Sequence, residues 1–210
     1  MNDARDRIYE TTATYYSRKL KEHGATSGGV DWKDRGSHWA RFDQIAKVID
    51  GRTESVADLG CGYGAFLAYL RETGFTGSFL GIDVSADMVA EAQKAHAADA
   101  DAAFVVGAGL PQECDAVVSS GIFNVKQDND ERAWLEYIEG TIESCNAMAR
   151  HGFSFNMLTS YSDKEKQRPD LYYADPLHFF DLCKRRYSRN VALLHDYGLY
   201  EFTIIVRKTL

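Results

Sequence analysis

The sequence predicts a doubly wound α/β domain, and three observations lead to that expectation. Short apolar runs alternate with amphipathic stretches from Gly51 onward, the pattern of strands joined by helices in a parallel sheet. A glycine-rich turn follows the first run, where a strand passes abruptly into a helix. Near the C-terminus only Asp196-Tyr197-Gly198 separates two runs, so those two strands are antiparallel. We therefore expect a mostly parallel sheet with one antiparallel strand near its edge.

The individual elements follow from the same patterns. Strands are predicted at 56–59, 78–82, 103–106, 115–120, 153–158, 191–195 and 199–207. Helices are predicted at 3–22, 64–73, 86–98, 129–149 and 175–187, and another begins with Ser37 as its N-cap. The glycine- and serine-rich stretch 24–37 carries one large aromatic residue, Trp32. We divide the chain into residues 1–50, N-terminal helices and a lid, and residues 51–210, the domain that holds the sheet.

Composition excludes several classes of protein. The 210 residues carry a formal net charge of −7, so the basic surface of a constitutive nucleic-acid binder is not expected. The four cysteines stand far apart and without neighbouring histidines, so we expect neither a metal site nor a disulfide framework. There is no apolar signal segment and no run of roughly 18 apolar residues. We therefore expect no membrane span and a cytoplasmic location.

The strongest local signal is the segment Asp58-Leu59-Gly60-Cys61-Gly62, between the first strand and its helix. Glycines at 60 and 62 let the backbone turn sharply and approach a ligand with no Cβ in the way. The helix that follows begins with unpaired N–H groups, which favour a carboxylate or a phosphate. A glycine-rich turn alone is often no more than a tight turn, so a second signal is needed.

Asp83 supplies that second signal, because it ends the second strand about twenty residues after the glycines. A carboxylate at this place accepts hydrogen bonds from the vicinal hydroxyls of a ribose. An Asp after a strand is also a frequent helix cap, although here Ser85 is the expected N-cap of the next helix. Together the two signals favour an adenosine-containing ligand across the carboxyl ends of the first two strands.

Two adenosine cofactors remain open, because Gly60-x-Gly62-x-x-Ala65 also satisfies the dinucleotide fingerprint. Asp58 would repel a pyrophosphate but suits a cationic amino group or a sulfonium. The C-terminal antiparallel hairpin is out of place in an all-parallel dinucleotide fold, and residues 51–210 leave little room for a separate substrate domain. We therefore favour S-adenosylmethionine over a nicotinamide dinucleotide.

The segments VADLGCGYGAF and FLGIDVSADMVAEAQ resemble motif I and the acidic loop of class I S-adenosylmethionine-dependent methyltransferases. The resemblance extends from about residue 38 to the C-terminus, and its motifs are specific to the superfamily, not to a substrate. It implies the sheet order 3-2-1-4-5-7-6 with the seventh strand antiparallel. By position it implies a methionine site at Asp58, Gly60, Cys61 and Gly62, a ribose site at Asp83, and adenine contacts from Val84 and Met88.

The resemblance has one departure. Such enzymes often carry an acidic residue after strand three, where this chain has Gly107 and Ala108. We expect either the backbone of these two residues or a residue that the sequence does not identify to hold adenine. Ser120 and Gly121, after strand four, resemble the segment that lines the methyl-donor pocket. Arg41, in the second helix, is a candidate partner for the methionine carboxylate.

The acceptor side is less defined than the cofactor side. In-line methyl transfer requires the acceptor atom and the methyl carbon to lie about 3 Å apart, and it requires a base only when the acceptor is protonated. The catalytic candidates are Tyr172, Asp175, His178 and His195, near the carboxyl ends of strands four to six. The segment that holds Tyr172 and Asp175 also contains Asn156 and Tyr161. Trp32 and the pair Tyr15-Tyr16 are candidates for a lid. For each aromatic side chain, packing is the simpler explanation, and a histidine at a turn is often satisfied locally.

We expect a small-molecule acceptor methylated on oxygen or nitrogen. Seven basic residues between 164 and 189 raise the hypothesis of an anionic acceptor, which a solvated helix face explains equally well. Segments such as SGIFNVK are also similar to small bacterial methyltransferases of glycan and secondary-metabolite pathways. The alternatives are an RNA or protein methyltransferase, a nicotinamide-dependent oxidoreductase, and a chain that binds the cofactor without catalysis.

Overall fold

The computed structural model describes residues 3–30 and 34–208. The helices are α1 Asp3–His23, α2 Arg35–Ile45, α3 Ala65–Glu72, α4 Ala86–Ala95, α5 Glu131–Met148 and α6 Pro176–Arg186. The strands are β1 Ser55–Leu59, β2 Ser78–Asp83, β3 Ala102–Val106, β4 Cys114–Ser119, β5 Ala149–Leu158, β6 Asn190–Leu194 and β7 Glu201–Arg207. No helix within the described ranges has the length and apolar content to cross a membrane.

The start of α2 differs from the sequence-based expectation. Its N-cap is Asp34, whose carboxylate accepts a hydrogen bond from the backbone N–H of Ser37 at 2.7 Å. The Ser37 hydroxyl in turn accepts from the backbone N–H of Asp34, which completes a capping box. Ser37 therefore belongs to the first turn of the helix. The expectation for Ser85 is confirmed, since its hydroxyl accepts from the N–H of Met88 and caps α4.

The seven strands form one sheet in the order β3-β2-β1-β4-β5-β7-β6, as the resemblance implied. Strands β1 to β5 are parallel to one another, whereas β7 is antiparallel to both β5 and β6. The tight connection between β6 and β7 requires this direction, because a short turn cannot return a chain to a parallel strand.

Alternate residues of the strands pack on opposite faces of the sheet. One core cluster contains Ala57 and Leu59 of β1 together with side chains from α1, α5 and α6. The second cluster contains Val56 of β1 together with side chains from α2, α3 and α4. Both faces of the parallel strands are therefore covered, as such sheets require.

The connection from β3 to β4 carries no helix, and α1 covers the face that this leaves open. Ile8 of α1 is 1% exposed and lies in the same cluster as Leu80 and Ile82 of β2 and Leu110 of the connection. The N-terminal helix therefore completes a layer of the fold. The division of the chain at residue 50 stays a prediction.

Candidate functional site

A cavity of about 930 Å³, its open mouth included, lies at the carboxyl ends of β1, β2 and β4. The strand order runs in both directions from β1, since β2 pairs with one side of it and β4 with the other. In an open α/β sheet this switch point forms a crevice, because the connections on its two sides leave in opposite directions. The topology therefore places a ligand site here.

Eleven of the twelve candidate cofactor residues line this one cavity. They are Asp58, Gly60, Cys61 and Gly62 after β1, Asp83, Val84 and Met88 after β2, Gly107 and Ala108 after β3, and Ser120 and Gly121 after β4. Residues from four separate strand ends thus meet at one place.

The glycine turn needs its glycines for two separate reasons. Gly60 and Gly62 have φ of +82° and +54°, a region that side chains with a Cβ rarely adopt. A Cβ on Gly60 would also overlap Cγ2 of Ile122, so the loop after β4 packs directly on the turn. The carbonyl of Ile82 accepts hydrogen bonds from the N–H groups of Gly60 at 2.7 Å and Cys61 at 3.0 Å. These bonds fix the turn against the end of β2.

Asp83 is held in place by backbone donors on both sides. One carboxylate oxygen accepts from the N–H of Gly62 at 2.9 Å, and the other accepts from the N–H of Ser85 at 2.8 Å. Burial raises the pKa of this carboxyl, although these bonds favour its ionised form. The carboxylate has roughly four acceptor positions, so these bonds leave room for a further donor. The side chain is half-buried at the cavity wall and can accept from a diol.

Asp58 is the site's unsatisfied group. Its side chain is 2% exposed, and its Oδ1 has no hydrogen-bond partner. Burial, and then the nearby charge of Asp83, raise the pKa of Asp58 to about 8. A buried carboxyl without a donor is unfavourable, so this position suits a cationic group that brings its own N–H donors.

The wall beside β4 is fixed by a buried amide on β5. The Asn156 carbonyl oxygen accepts from the backbone N–H of Gly121 at 2.7 Å, and its amide nitrogen donates to the Ser120 hydroxyl at 3.3 Å. Asn156 is fully buried, and Gly121 has φ of +78°. Asn156 therefore holds the backbone at 120–121 in the conformation that faces the glycine turn.

Helix α1 forms the roof of the cavity. Tyr9, Thr12 and Tyr16 stand three and four residues apart, so they share one helix face, and all three line the cavity. The Ser17 hydroxyl lies 2.9 Å from that of Ser85 and ties the helix to the start of α4. The first half of α1 lies over α5, where the ring of Tyr9 stands edge-on to that of Tyr137 at 5.8 Å.

The candidate lid is resolved in part. Tyr16 lines the cavity, and the Tyr15 ring packs edge-on against it at 5.1 Å, outside the lining. Trp32 lies outside the described residues.

Helix α2 contributes a histidine that is not among the sequence-based candidates. His38 is 6% exposed and lines the cavity together with Phe42, one turn further along. Burial, and then the positive charge of Arg41, lower the pKa of His38 to about 3. The imidazole is therefore neutral at physiological pH.

Arg41 does not line the cavity, which corrects its assignment to the methionine carboxylate. Its guanidinium donates to the Glu201 carboxylate of β7 from Nη2 at 2.6 Å and from Nε at 2.9 Å. Nη1 donates to the carbonyl of Ser37. Both ion-pair partners are buried, at 8% and 1% exposed, so Arg41 fastens α2 to the sheet.

Two of the four catalytic candidates lie at the start of α6 and have local roles. The Asp175 carboxylate is the N-cap of the helix and accepts from the N–H of Leu177 at 2.9 Å. His178 is exposed on the helix surface, with its ring against Phe179 at 4.9 Å. Neither side chain lines the cavity.

The other two candidates also lie outside the lining. Tyr172 is half-buried against the core, and its N–H donates to the carbonyl of Asn124 at 2.8 Å. His195 is exposed after β6, against the rings of Tyr161 and Phe202. His195 lies at the same edge of the sheet as the cavity. However, β6 is four strands away from β1, and this distance is ~19 Å at ordinary strand spacing.

Sequence reasoning missed most of the remaining lining of the cavity. These residues are Tyr9, Thr12, Val30, His38, Phe42, Tyr63, Ala65, Phe66, Ile122, Tyr137 and Thr141. The face of α1 formed by Tyr9, Thr12 and Tyr16 was visible as helical spacing, but spacing alone does not show what a helix covers.

The comparisons with known proteins give a consistent result. Residues 56–143 match the model of a family described as a methyltransferase domain. The Mycobacterium tuberculosis protein named "Putative methyltransferase Rv1506c" is 57% identical over 154 residues, which are 73% of this chain and 93% of that protein.

Two solved structures share the fold over nearly their whole length. The complex of DhpI with S-adenosylhomocysteine has a TM-score of 0.67 at 16% identity and covers 94% of this chain and 95% of its own. Magnesium protoporphyrin IX methyltransferase from Synechocystis PCC 6803, also with S-adenosylhomocysteine, has a TM-score of 0.64 at 18% identity and covers 98% of each chain.

The chain belongs to the class I S-adenosylmethionine-dependent methyltransferases, and S-adenosylmethionine is its cofactor.

Proposed function

We propose that this enzyme transfers the methyl group of S-adenosylmethionine to an oxygen or nitrogen atom of a small-molecule acceptor held in the same cavity. Closure of the site by α1 supports a small acceptor, because Tyr9, Thr12 and Tyr16 roof the strand ends. A macromolecular acceptor would need an open groove instead, and the acidic chain offers no general basic surface for nucleic acid.

The observation that carries the proposal is the pair of carboxylates around the glycine turn. Asp58 presents an unsatisfied oxygen, which fits the cationic ammonium of the cofactor's amino-acid part. Asp83 presents two oriented oxygens, which fit the ribose diol. Between them Gly60 and Gly62 line the cavity without a side chain, where the chain that joins those groups would lie.

When bound, S-adenosylmethionine supplies a methyl carbon that passes to the acceptor's lone pair, while the electrons of the broken carbon–sulfur bond stay on sulfur and the acceptor's proton leaves to solvent. The residues of the protein align the acceptor with the methyl group and exclude water from the site. Val84 and Met88 would supply apolar contacts for adenine, and Gly107 and Ala108 would supply backbone groups for it. Ser120 and Gly121, fixed by Asn156, would line the methyl-donor part of the pocket.

None of the four original catalytic candidates enters this proposal, because none of them lines the cavity. The reaction therefore depends on an acceptor that is nucleophilic without a dedicated strong base, or on His38 as a hydrogen-bond partner for it. We also place the reaction in the cytoplasm, which the four free, buried cysteines support.

The experiment is calorimetric titration of S-adenosylhomocysteine and, separately, of NADH, followed by a screen of small acceptors with labelled S-adenosylmethionine. We expect binding of S-adenosylhomocysteine only, and label transfer to a small molecule. Binding of NADH alone would reject the proposal. Label transfer confined to RNA or protein would reject the small-molecule acceptor.

A further inference from the structure

The charged side chains on the cavity wall are both carboxylates. Among the described residues that line it, Asp58 and Asp83 are the acidic ones, and none is Lys or Arg. His38, the remaining titratable nitrogen, is neutral because its pKa lies at about 3. The wall as described therefore carries no positive charge.

The cofactor does not remove this excess of negative charge. Its ammonium, carboxylate and sulfonium together give a charge of +1. Two ionised carboxylates with that cofactor leave the site with a charge of −1. A phosphate or carboxylate on the acceptor would enter a shielded site that is already negative and would find no cation on the described wall. The site therefore disfavours an anionic acceptor.

None of the seven basic residues at 164–189, which raised the anionic hypothesis, lines the described cavity, and three of their arginines form ion pairs elsewhere. Arg168 pairs with Asp170 at 2.5 Å, and Arg186 pairs with Glu139 at 2.9 Å. Arg185 pairs with Asp181 one turn earlier on α6. Their side chains are more than half exposed and do not line the cavity.

The wall that remains for the acceptor is aromatic. Phe42 and Phe66 pack with ring centroids 5.1 Å apart on the side of the glycine turn. Tyr9 and Tyr137 pack edge-on at 5.8 Å on the side of β4. Flat rings on two sides suit a flat apolar body, while neutral groups such as Thr12 and the His38 imidazole can orient a polar atom on it.

Resting on the function proposed above, we propose that the acceptor is an uncharged molecule with a flat, largely apolar body, methylated at a neutral hydroxyl or amine. Phosphorylated sugars and carboxylate metabolites are poor acceptors in this view. An amine acceptor must be unprotonated when the methyl group is transferred, because a protonated amine has no lone pair to offer.

The first test uses matched probes that differ only in charge. The complex of the full-length protein with S-adenosylhomocysteine is titrated calorimetrically with methyl 3,4-dihydroxybenzoate and with 3,4-dihydroxybenzoate, and with further ester and acid pairs on fused bicyclic rings. We expect each ester to bind at least about tenfold more tightly than its acid, as one uncompensated charge in a shielded site requires. Equal or tighter binding of the acids, or binding of neither series, overturns the inference.

The second test adds the missing cation. Thr12→Lys places an ammonium on the roof, and Thr14→Lys places one on the exposed side of the same helix as a control. We expect Thr12→Lys to reduce the preference for the ester by about tenfold and Thr14→Lys to leave it unchanged. Equal behaviour of the two variants, each shown by its melting temperature to be folded, contradicts the inference.

Different results would reject the methyltransferase site and the uncharged acceptor. Absence of S-adenosylhomocysteine binding to the wild-type protein rejects the methyltransferase site itself. Binding of S-adenosylhomocysteine together with a preference for acids rejects only the uncharged acceptor.

Discussion

Substitution of Asp58 by Asn is the sharpest test of the site, because it should change stability and cofactor affinity in opposite directions. The side chain keeps its shape but loses its charge. In the free protein the Asp58 carboxyl lies buried beside Asp83 with an unsatisfied oxygen, so an ionised group there is unfavourable. In the complex the same charge would meet the cofactor's ammonium.

The magnitudes follow from these contacts. A hydrogen bond to a charged group contributes about 1.5–3 kcal/mol, so Asp58→Asn should weaken S-adenosylhomocysteine binding by about 10- to 150-fold. The ligand-free variant should be more stable than the wild-type protein at pH 8.5. The folded wild-type protein holds a proton on Asp58 up to a pKa of about 8, well above the ordinary value of 3.8. Its stability therefore falls as the pH rises from about 4 through 8, and the variant lacks this decline.

The affinity for S-adenosylhomocysteine should depend on the same ionisation, but it should rise with pH where the stability falls. Binding of the ammonium requires the carboxylate, so the wild-type affinity should rise by about tenfold per pH unit between pH 6 and the pKa of about 8. The variant should show little dependence in this range. The affinity should stop rising above a pH of about 8, where Asp58 is already ionised in the free protein.

The assay is calorimetric titration of S-adenosylhomocysteine at several pH values, with urea unfolding of the ligand-free proteins at the same values. Asp87→Asn is a matched control, because Asp87 is a half-buried carboxyl at the start of α4 that pairs with Lys21 and does not line the cavity. A variant that binds S-adenosylhomocysteine with wild-type affinity at pH 8 would refute the ammonium assignment. A variant that loses both stability and affinity would show general damage instead.

Three further substitutions test the surrounding contacts. Asp83→Ala should weaken S-adenosylhomocysteine binding by about 1.5–3 kcal/mol in calorimetry, and unchanged affinity would remove the ribose role. Gly60→Ala should destabilise the fold by about 1–3 kcal/mol in urea, since its Cβ meets Ile122 in a left-handed backbone, and a neutral result would contradict that packing. Arg41→Met should cost about 3–5 kcal/mol by leaving Glu201 buried and unpaired, with recovery in the double variant Arg41→Met/Glu201→Met. A stable Arg41→Met protein that no longer binds S-adenosylhomocysteine would instead return Arg41 to the cofactor site.

The donor side could be predicted from the sequence because its determinants are local. Gly60 and Gly62 are required by a backbone turn, and Asp83 by its place at the end of a strand, so each is visible in a short segment. The strand ends meet at one cavity once the sheet order is known. The antiparallel position of β7 was likewise visible in a short turn.

The remainder of the site depends on long-range packing that a single sequence does not show. Arg41 was assigned to the cofactor on charge alone, yet it pairs with Glu201, which is 160 residues away. His195 was placed at the correct edge, but its distance from β1 follows from the insertion of β7 between β5 and β6. His38 carries no recognisable motif, and only its burial in the folded chain reveals its place in the cavity.

The two roles of α1 connect fold and function. Ile8 fills the face of the sheet that the helix-free β3–β4 connection leaves open, while Tyr9, Thr12 and Tyr16 on the adjacent face roof the cavity. The same helix therefore cannot withdraw from the ligand without uncovering Leu80 and Ile82 of the core. The second half of α1 contacts α4 through polar groups, among them the Ser17 and Ser85 hydroxyls. We therefore expect that any movement of α1 that admits the acceptor is confined to this second half, while the buried first half stays in place.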